Sequence, residues 1–278
     1  MNLKNTIASG AQLLKDNFIQ SHLLDAEIIL SNVLKVQREF LLLKENINIS
    51  KKEIKKYNFA IERRIKKEPI AYITGKKEFW SNNFLVNKST LIPRPETELL
   101  VNEVLNFYKH KNINILDIGT GSGCILLSLL KELHLSRGIG IDISKKTIGI
   151  AIYNSKKHKL QNRASFKVSN INNFNFGKYD LIVANPPYIP TRELRNLSDD
   201  IFNYEPLCAL NGGIDGLDLI KKVIYKSNNL LKKSGILAIE VGSNQYRKVS
   251  DILTKKGFRE LKKVTDYNCN IRCIISTK

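Results

Sequence analysis

Apolar residues recur at helical spacing early in the chain. Leu13, Leu14 and Phe18, then Leu23, Leu24, Ile28, Ile29 and Val33, fall three or four positions apart. This period predicts helices over the first seventy residues, packed as a small bundle. Ser50 opens a capping-box pattern, with Glu53 three residues later. The helix that follows is expected to run to about Lys67, because Pro69 restricts Glu68. The pattern then changes. Ile70–Thr74 and Phe79–Val86 favour strand, with a turn signal at Ser81-Asn82-Asn83, and together they predict a β-hairpin. Pro95 suits the first turn of a helix expected over Glu96–Lys109.

From Asn112 onward, strand and helix patterns alternate. Strands are expected at Ile113–Ile118, Gly138–Ile143, Ser165–Val168, Asp180–Ala184 and Ile236–Val241. Helices are expected at Cys124–Leu133, Lys145–Lys157, Leu217–Leu231 and Gln245–Lys256. Such alternation means a doubly wound, mostly parallel sheet. Phe258–Val264 and Asn270–Ser276 follow without a helix between them, so the last strand is expected to be antiparallel. The fold class is therefore α/β, a seven-stranded sheet preceded by a small helical domain. The boundaries read as 1–75 for the helical domain, 76–92 for a hairpin linker and 93–278 for the sheet domain. There is no internal repeat and no low-complexity segment.

Composition changes this picture little. A length of 278 residues suits one full α/β domain plus a smaller one, and a 42% hydrophobic fraction can fill both cores. No apolar run reaches the roughly 18 residues of a membrane helix. Met1–Lys15 lacks the basic start and apolar stretch of a signal peptide. Cys124, Cys208, Cys269 and Cys273 are scattered. Cys269 and Cys273 are read into one strand, on one face, and no nearby His completes a zinc set. Reduced thiols and a cytoplasmic location are expected, with no metal and no membrane partner. The net charge of +19 invites a nucleic-acid reading. Yet Lys far outnumbers Arg and is spread along the whole chain, and the wealth of Lys, Ile and Asn matches a coding bias toward A/T-rich codons. A solvated surface is the preferred reading, and direct nucleic-acid binding is not expected.

Three motifs carry chemistry. Asp117-Ile118-Gly119-Thr120-Gly121-Ser122-Gly123 follows a strand and opens a helix. Glycines there allow a tight turn and close approach of a ligand to the backbone. A dinucleotide fingerprint would place its third glycine at position 124, where Cys124 stands, so the spacing favours a cofactor without a phosphate. Asp142, ending the next strand, can accept hydrogen bonds from both hydroxyls of a ribose. NAD and S-adenosylmethionine both ask this of a site, and capping the next helix, which Ser144 could do instead, is the plainer alternative. The deciding motif is Asn185-Pro186-Pro187-Tyr188. Its prolines remove two backbone donors and hold the chain extended. The carbonyls of Asn185 and Pro186 and the Asn185 side-chain oxygen can then accept from a substrate NH₂ group, with Tyr188 as a flat face against it.

This set resembles the class I methyltransferases, in which Asn-Pro-Pro-Tyr marks enzymes acting on amide or exocyclic amino nitrogens. Leu91-Ile92-Pro93-Arg94-Pro95-Glu96-Thr97-Glu98, Tyr204-Glu205-Pro206-Leu207-Cys208-Ala209-Leu210 and Asp266-Tyr267…Arg272 narrow the match. They resemble the HemK/PrmC family of peptide chain release factor glutamine methyltransferases, over nearly the whole chain including Asp25-Ala26-Glu27. One departure stands out. Where that family carries an acidic residue and then an aromatic near the adenine, this chain has Ser169-Asn170-Ile171. Asn170 can still accept from the adenine amino group, but without charge, and Ile171 can pack but not stack, so weaker affinity is expected.

The resemblance implies methylation, from S-adenosylmethionine, of the glutamine in the Gly-Gly-Gln loop of class 1 release factors. It implies catalytic roles for Asn185, Pro186 and Tyr188. It implies cofactor contacts from Asp117 (near the methionine end), Gly119, Thr120, Gly121, Ser122, Gly123, Asp142, Asn170, Ile171 and Asn185. Pro187 joins the substrate-binding set. Arg94, Glu96 and Glu205 either line the substrate entrance or tie the hairpin and a later insert to the sheet; both readings stand at this point. The helical domain is expected to grip the protein substrate, and the enzyme to be a monomer. The rivals are an adenine or cytosine methyltransferase acting on DNA or RNA, an NAD-dependent dehydrogenase, and a non-catalytic ribosome- or factor-binding protein. No target-recognition insert supports the first, Cys124 opposes the second, and the intact glycines, Asp142 and Asn185 oppose the third.

Overall fold

The computed structural model describes residues 2–43, 47–109 and 111–278. Helices α1 (Leu3–Asp16), α2 (His22–Leu34), α3 (Arg38–Leu43) and α4 (Lys51–Ile65) come first. The capping box forms as expected: Ser50 Oγ accepts from the Glu53 N–H, and the Glu53 carboxylate accepts from the Ser50 N–H. Leu3, Leu14, Ile29, Leu30, Tyr57 and Ile61 close a core of their own. Arg64 binds the buried Asp25 at 2.7 Å, and Arg63 forks onto Glu68 with two bonds of 2.8 Å.

Two expectations fail in the next stretch. Ile70–Thr74, read as strand, is a short helix, α5 (Ile70–Thr74). The Pro69 carbonyl accepts from the N–H groups of Tyr72 and Ile73, and Gly75, at φ 71°, stops the turn in the left-handed region. Local punctuation overrides β-branched content here. The hairpin consists of β1 (Lys76–Phe79) and β2 (Asn82–Leu85). Its turn falls on Trp80-Ser81, not on Ser81-Asn82-Asn83. Both turn residues have positive φ, 50° and 53°, the sense that matches strand twist.

The remaining elements are α6 (Thr97–Tyr108), β3 (Asn114–Ile118), α7 (Cys124–Glu132), β4 (Arg137–Asp142), α8 (Lys145–Lys157), β5 (Ala164–Val168), β6 (Tyr179–Ala184), α9 (Asp199–Tyr204), α10 (Asp218–Leu230), β7 (Leu231–Glu240), α11 (Tyr246–Lys255), β8 (Arg259–Thr265) and β9 (Ile271–Thr277). Among the described residues the strands form a seven-stranded sheet in the order β5-β4-β3-β6-β7-β9-β8. β9 runs antiparallel to both neighbours, and the other pairs are parallel. The doubly wound sheet with an antiparallel last strand is therefore present.

Side chains alternate across this sheet, as strand geometry requires. Ile115, Leu181, Val183, Ala238 and Ile275 pack with Leu100, Val104, Leu126 and Leu130 of α6 and α7. Leu116, Ile118, Ile182, Leu237 and Ile274 pack with Ile220, Val223, Val249 and Leu253 of α10 and α11. The central strands β3, β6, β7 and β9 are thus buried on both faces, which explains their apolar runs, whereas the edge strands β5 and β8 are largely exposed. Cys273 is buried in β9, but Cys269 is exposed in the turn before it at φ 60°, so the two do not share a strand face. Among the described residues no His, Cys, Asp and Glu group could hold a metal, and no helix is long and apolar enough to cross a membrane.

The chain divides into two compact units. One comprises Met1–Lys76 with Ser198–Tyr204, and the other Lys77–Leu197 with Glu205–Lys278. α9 therefore belongs with the N-terminal helices, where Tyr204 Oη donates to the Lys66 carbonyl at 2.6 Å.

Candidate active site

Strand register places the site. Ile118 on β3 is level with Ile141 on β4 and with Ala184 on β6. The next residue on each strand, Gly119, Asp142 and Asn185, therefore leaves the same carboxyl edge side by side. β3 and β6 lie where the strand order reverses, and open α/β sheets hold ligands in the crevice there.

The loop after β3 is built for close approach. Gly119, Gly121 and Gly123 have φ of 73°, 56° and 81°, a region costly for any residue with a Cβ. A Cβ on Gly119 would meet nothing within 4 Å, so the backbone there is open. Thr120 and Ser122, by contrast, are buried and brace the loop from behind. Thr120 Oγ1 donates to Asp117 Oδ2 at 2.6 Å, and the Gly119 and Thr120 N–H groups both donate to the Ile141 carbonyl. Gly140 leaves room for this packing, since a Cβ there would lie 2.6 Å from Thr120 Oγ1. Asp142 is shared: its Oδ2 accepts from the Gly121 N–H at 3.2 Å and its Oδ1 from the Ser144 N–H at 3.0 Å. Ser144 itself caps α8 through the Thr147 N–H, so Asp142 is not the cap.

Asp117 is fully buried, and its Oδ1 has no hydrogen-bond partner. Burial raises its carboxyl to about 7, against which the Thr120 hydrogen bond works. Burial also raises Asp142, opposed by the N–H groups of Ser144 and Gly121.

After β6, Asn185 and Pro187 face the same cleft, whereas Pro186 is buried. Asn185 Nδ2 donates to Thr97 Oγ1 at 3.1 Å, and Thr97 Oγ1 donates to Glu240 Oε2 at 2.6 Å. Tyr188 does not line the cleft. Its hydroxyl lies 3.5 Å from Glu240 Oε1, and its carbonyl accepts from Gln245 Nε2 at 2.8 Å.

The cleft holds about 430 Å³, within the range of small-molecule sites. It unites Gly119, Gly121, Asp142, Asn170, Ile171, Asn185 and Pro187. Ile143, Ile171 and Leu219 give it apolar walls. Asn170 turns the chain after β5, its Oδ1 accepting from the Asn172 N–H at 2.9 Å. Several lining residues escaped the sequence reading, notably Thr90, Lys146, Cys208 and Lys222. Cys208 and its neighbours lay within a recognised stretch, but Lys146 and Lys222 follow ordinary helical patterns with no motif to reveal them. Arg94 and Glu205 do not line the cleft. Glu205 is buried, accepts from Arg94 at 2.6 Å and from the Ile92 N–H at 3.0 Å, and so ties the segment before α6 to the loop after α9. Glu96 is exposed at the start of α6.

Comparison with known proteins agrees with this architecture. Residues 5–75 match a model described as the PrmC N-terminal domain, and residues 109–275 match a methyltransferase domain. A release factor glutamine methyltransferase from Clostridium acetobutylicum is 36% identical over 100% of this chain and 99% of its own length. One from Buchnera aphidicola is 41% identical over 91% of this chain and 92% of its own. The chain belongs to the release factor glutamine methyltransferase family. A methyltransferase structure from Pyrococcus furiosus, 15% identical, shares the fold over 70% of this chain and 87% of its own, with a TM-score of 0.53.

Two outcomes are predicted for this member of the family. Asp117 binds its proton up to about pH 7 when folded but only to its ordinary 3.8 when unfolded. Its contribution to stability is therefore present at low pH and lost as pH rises through that window. Asp117→Asn should raise the Tm of the ligand-free protein above pH 7 and change it little near pH 4, as differential scanning fluorimetry would show; an equal Tm shift at both ends would contradict this. Arg94→Ala leaves the Glu205 carboxylate buried with only a backbone donor. Urea denaturation should show a loss of about 2 kcal/mol or more, and an unchanged midpoint would make the ion pair irrelevant.

Proposed function

We propose that the chain methylates the side-chain amide nitrogen of the glutamine in the Gly-Gly-Gln motif of class 1 release factors. The observation that carries this reading is Asn185 at the cleft wall, its NH₂ turned inward to Thr97 and its Oδ1 left as an acceptor. The family relationship supplies the substrate.

S-adenosylmethionine supplies an electrophilic methyl group on a positively charged sulfur. The residues present suit such a group. The open backbone at Gly119 admits a ligand, Asp142 offers carboxylate oxygens at the cleft wall, and the unpartnered Asp117 Oδ1 is a buried acceptor beneath the loop. Ile143 and Ile171 would pack against the adenine, with the second lone pair of Asn170 Oδ1 available to its amino group.

An amide nitrogen is a weak nucleophile, because its lone pair is shared with the carbonyl. The barrier of about 18–20 kcal/mol to rotation in peptide amides measures that sharing. Asn185 Oδ1, together with the carbonyl of Pro186, would accept the two N–H bonds of the substrate. Holding both fixes the nitrogen in place and favours its tetrahedral form as the new bond develops. Positioning of this kind can lower a barrier by up to about 7–11 kcal/mol. The surplus proton leaves after the nitrogen–carbon bond forms, so no general base must act first. The helical unit would grip the protein substrate; Phe18 and Phe59 are exposed on it.

The test is methyl transfer from labelled S-adenosylmethionine to a purified class 1 release factor, to its glutamine-to-alanine variant, and to duplex DNA. Label on the wild-type factor alone is expected, and label on DNA would replace the reading. Asn185→Ala should lower kcat by about 100-fold with cofactor affinity nearly kept. Near-normal turnover would remove Asn185 from the mechanism.

A further inference from the structure

Behind Asn185 lie two polar residues that do not line the cleft. Thr97, opening α6, is 2% exposed, and Glu240, ending β7, is 1% exposed. A buried carboxylate is costly, and nothing in the packing of α6 on β7 demands one. The hydrogen bonds give it a use.

A hydroxyl has one proton to give. An ionised carboxylate can only accept. When Glu240 is ionised, the Thr97 proton therefore points to Glu240 Oε2, at 2.6 Å. Only lone pairs of Thr97 Oγ1 then remain for its other neighbour. The Asn185 carboxamide can meet a lone pair with its NH₂, at 3.1 Å, but not with its oxygen. The reversed amide would set two oxygens against each other with no proton between them. When Glu240 is protonated, it can donate to Thr97, and Thr97 can donate onward to a reversed Asn185. That reversal would turn an NH₂ group toward a substrate NH₂.

We infer that Glu240 is a positioning residue that, through the Thr97 hydroxyl, locks the Asn185 carboxamide with its carbonyl oxygen facing the substrate. The inference rests on Asn185 accepting substrate N–H bonds, as proposed above. The surroundings are tuned for such a lock. Burial raises the Glu240 carboxyl to about 7 and Glu96 at the start of α6 adds to the rise, while the Thr97 bond, Arg272 on β9 and the Tyr188 bond oppose it. Tyr188, itself raised by burial and by Glu240, stays protonated and can donate to the carboxylate. Cys273, paired with Glu240 across the β7–β9 ladder, is held neutral by burial. Arg272 is anchored on Asp266 at 2.8 Å. The ionised fraction of Glu240 therefore grows as pH rises past about 7, and with it the fraction of correctly turned Asn185.

The experiment measures kcat and cofactor Kd with a class 1 release factor between about pH 6 and pH 9. Wild-type kcat should climb with pH through an acid limb near 7. Glutamine at position 240 can either accept from Thr97 or donate to it, so Glu240→Gln should lose that limb and run about 10-fold below wild type at high pH. Thr97→Val should lose a similar factor, with cofactor Kd unchanged, and Thr97→Ser should recover it. In an Asn185→Ala background, Thr97→Val should cost nothing further. Without any substrate, the Asn185 side-chain NH₂ protons, assigned by their loss in Asn185→Ala, should exchange slowly in the wild type and fast in Thr97→Val. Should Thr97→Val not fold, the Glu240→Gln pH profile decides alone. Wild-type kcat and an unchanged acid limb in Glu240→Gln would overturn the lock. Normal turnover by Asn185→Ala would instead overturn the underlying mechanism, and fast exchange of those protons in the wild type would overturn the lock whatever the substrate.

Discussion

Parallel pairing of β3 with β4 on one side and β6 on the other is the constraint on which the site depends. Because the three strands are level at Ile118, Ile141 and Ala184, three unrelated motifs reach one edge on neighbouring strands. A shift of one residue in either pairing would move Asp142 or Asn185 out of line and turn its side chain to the other face. The alternating apolar positions of the two cores prevent that shift, since each strand would have to exchange its partners in α6 and α7 for those in α10 and α11. The apolar packing that stabilises the sheet thus also aligns the chemistry.

Three buried carboxylates show how different the surroundings of one functional group can be. Glu205 is neutralised by Arg94 and by a backbone N–H, and it serves to fasten a loop. Asp117 has a hydroxyl on one oxygen and nothing on the other, under a loop whose backbone is bare. Glu240 holds a hydroxyl whose far side holds the amide of Asn185. Burial without a direct ion pair raises the last two to about 7, where small changes in their neighbours matter most.

Much of this was legible in the sequence, for definite reasons. The glycine loop, Asp142 and Asn-Pro-Pro-Tyr are local, because backbone conformation and strand ends are set by nearby residues. The parallel sheet followed from alternation alone. Ile70–Thr74 misled because β-branched residues outweigh helix in propensity, while Pro69 and Gly75 fixed a single helical turn between them. The true hairpin turn was hidden because Trp80 and Ser81 carry no glycine signal. Glu240 was invisible for a different reason. It ends an apolar strand some fifty residues from Asn185, and only the folding of α6 against β7 brings Thr97 between them. That the side chains of Thr120 and Ser122 are buried, while Gly119 and Gly121 face the cleft, could not be read from the sequence, because a glycine turn does not show which way its polar residues point.

The assignment of α9 to the helical unit has a consequence for how such a protein can change over evolutionary time. The chain passes from one unit to the other three times, at positions 76, 197 and 204. A gene segment covering only the first part of the chain would encode an incomplete helical unit, and one covering the rest would carry an orphaned strip of it. Exchange of the front half by simple recombination would therefore leave a mismatched strip behind. The helical unit is thus encoded by two separate stretches of the gene, and a single crossover cannot replace it whole.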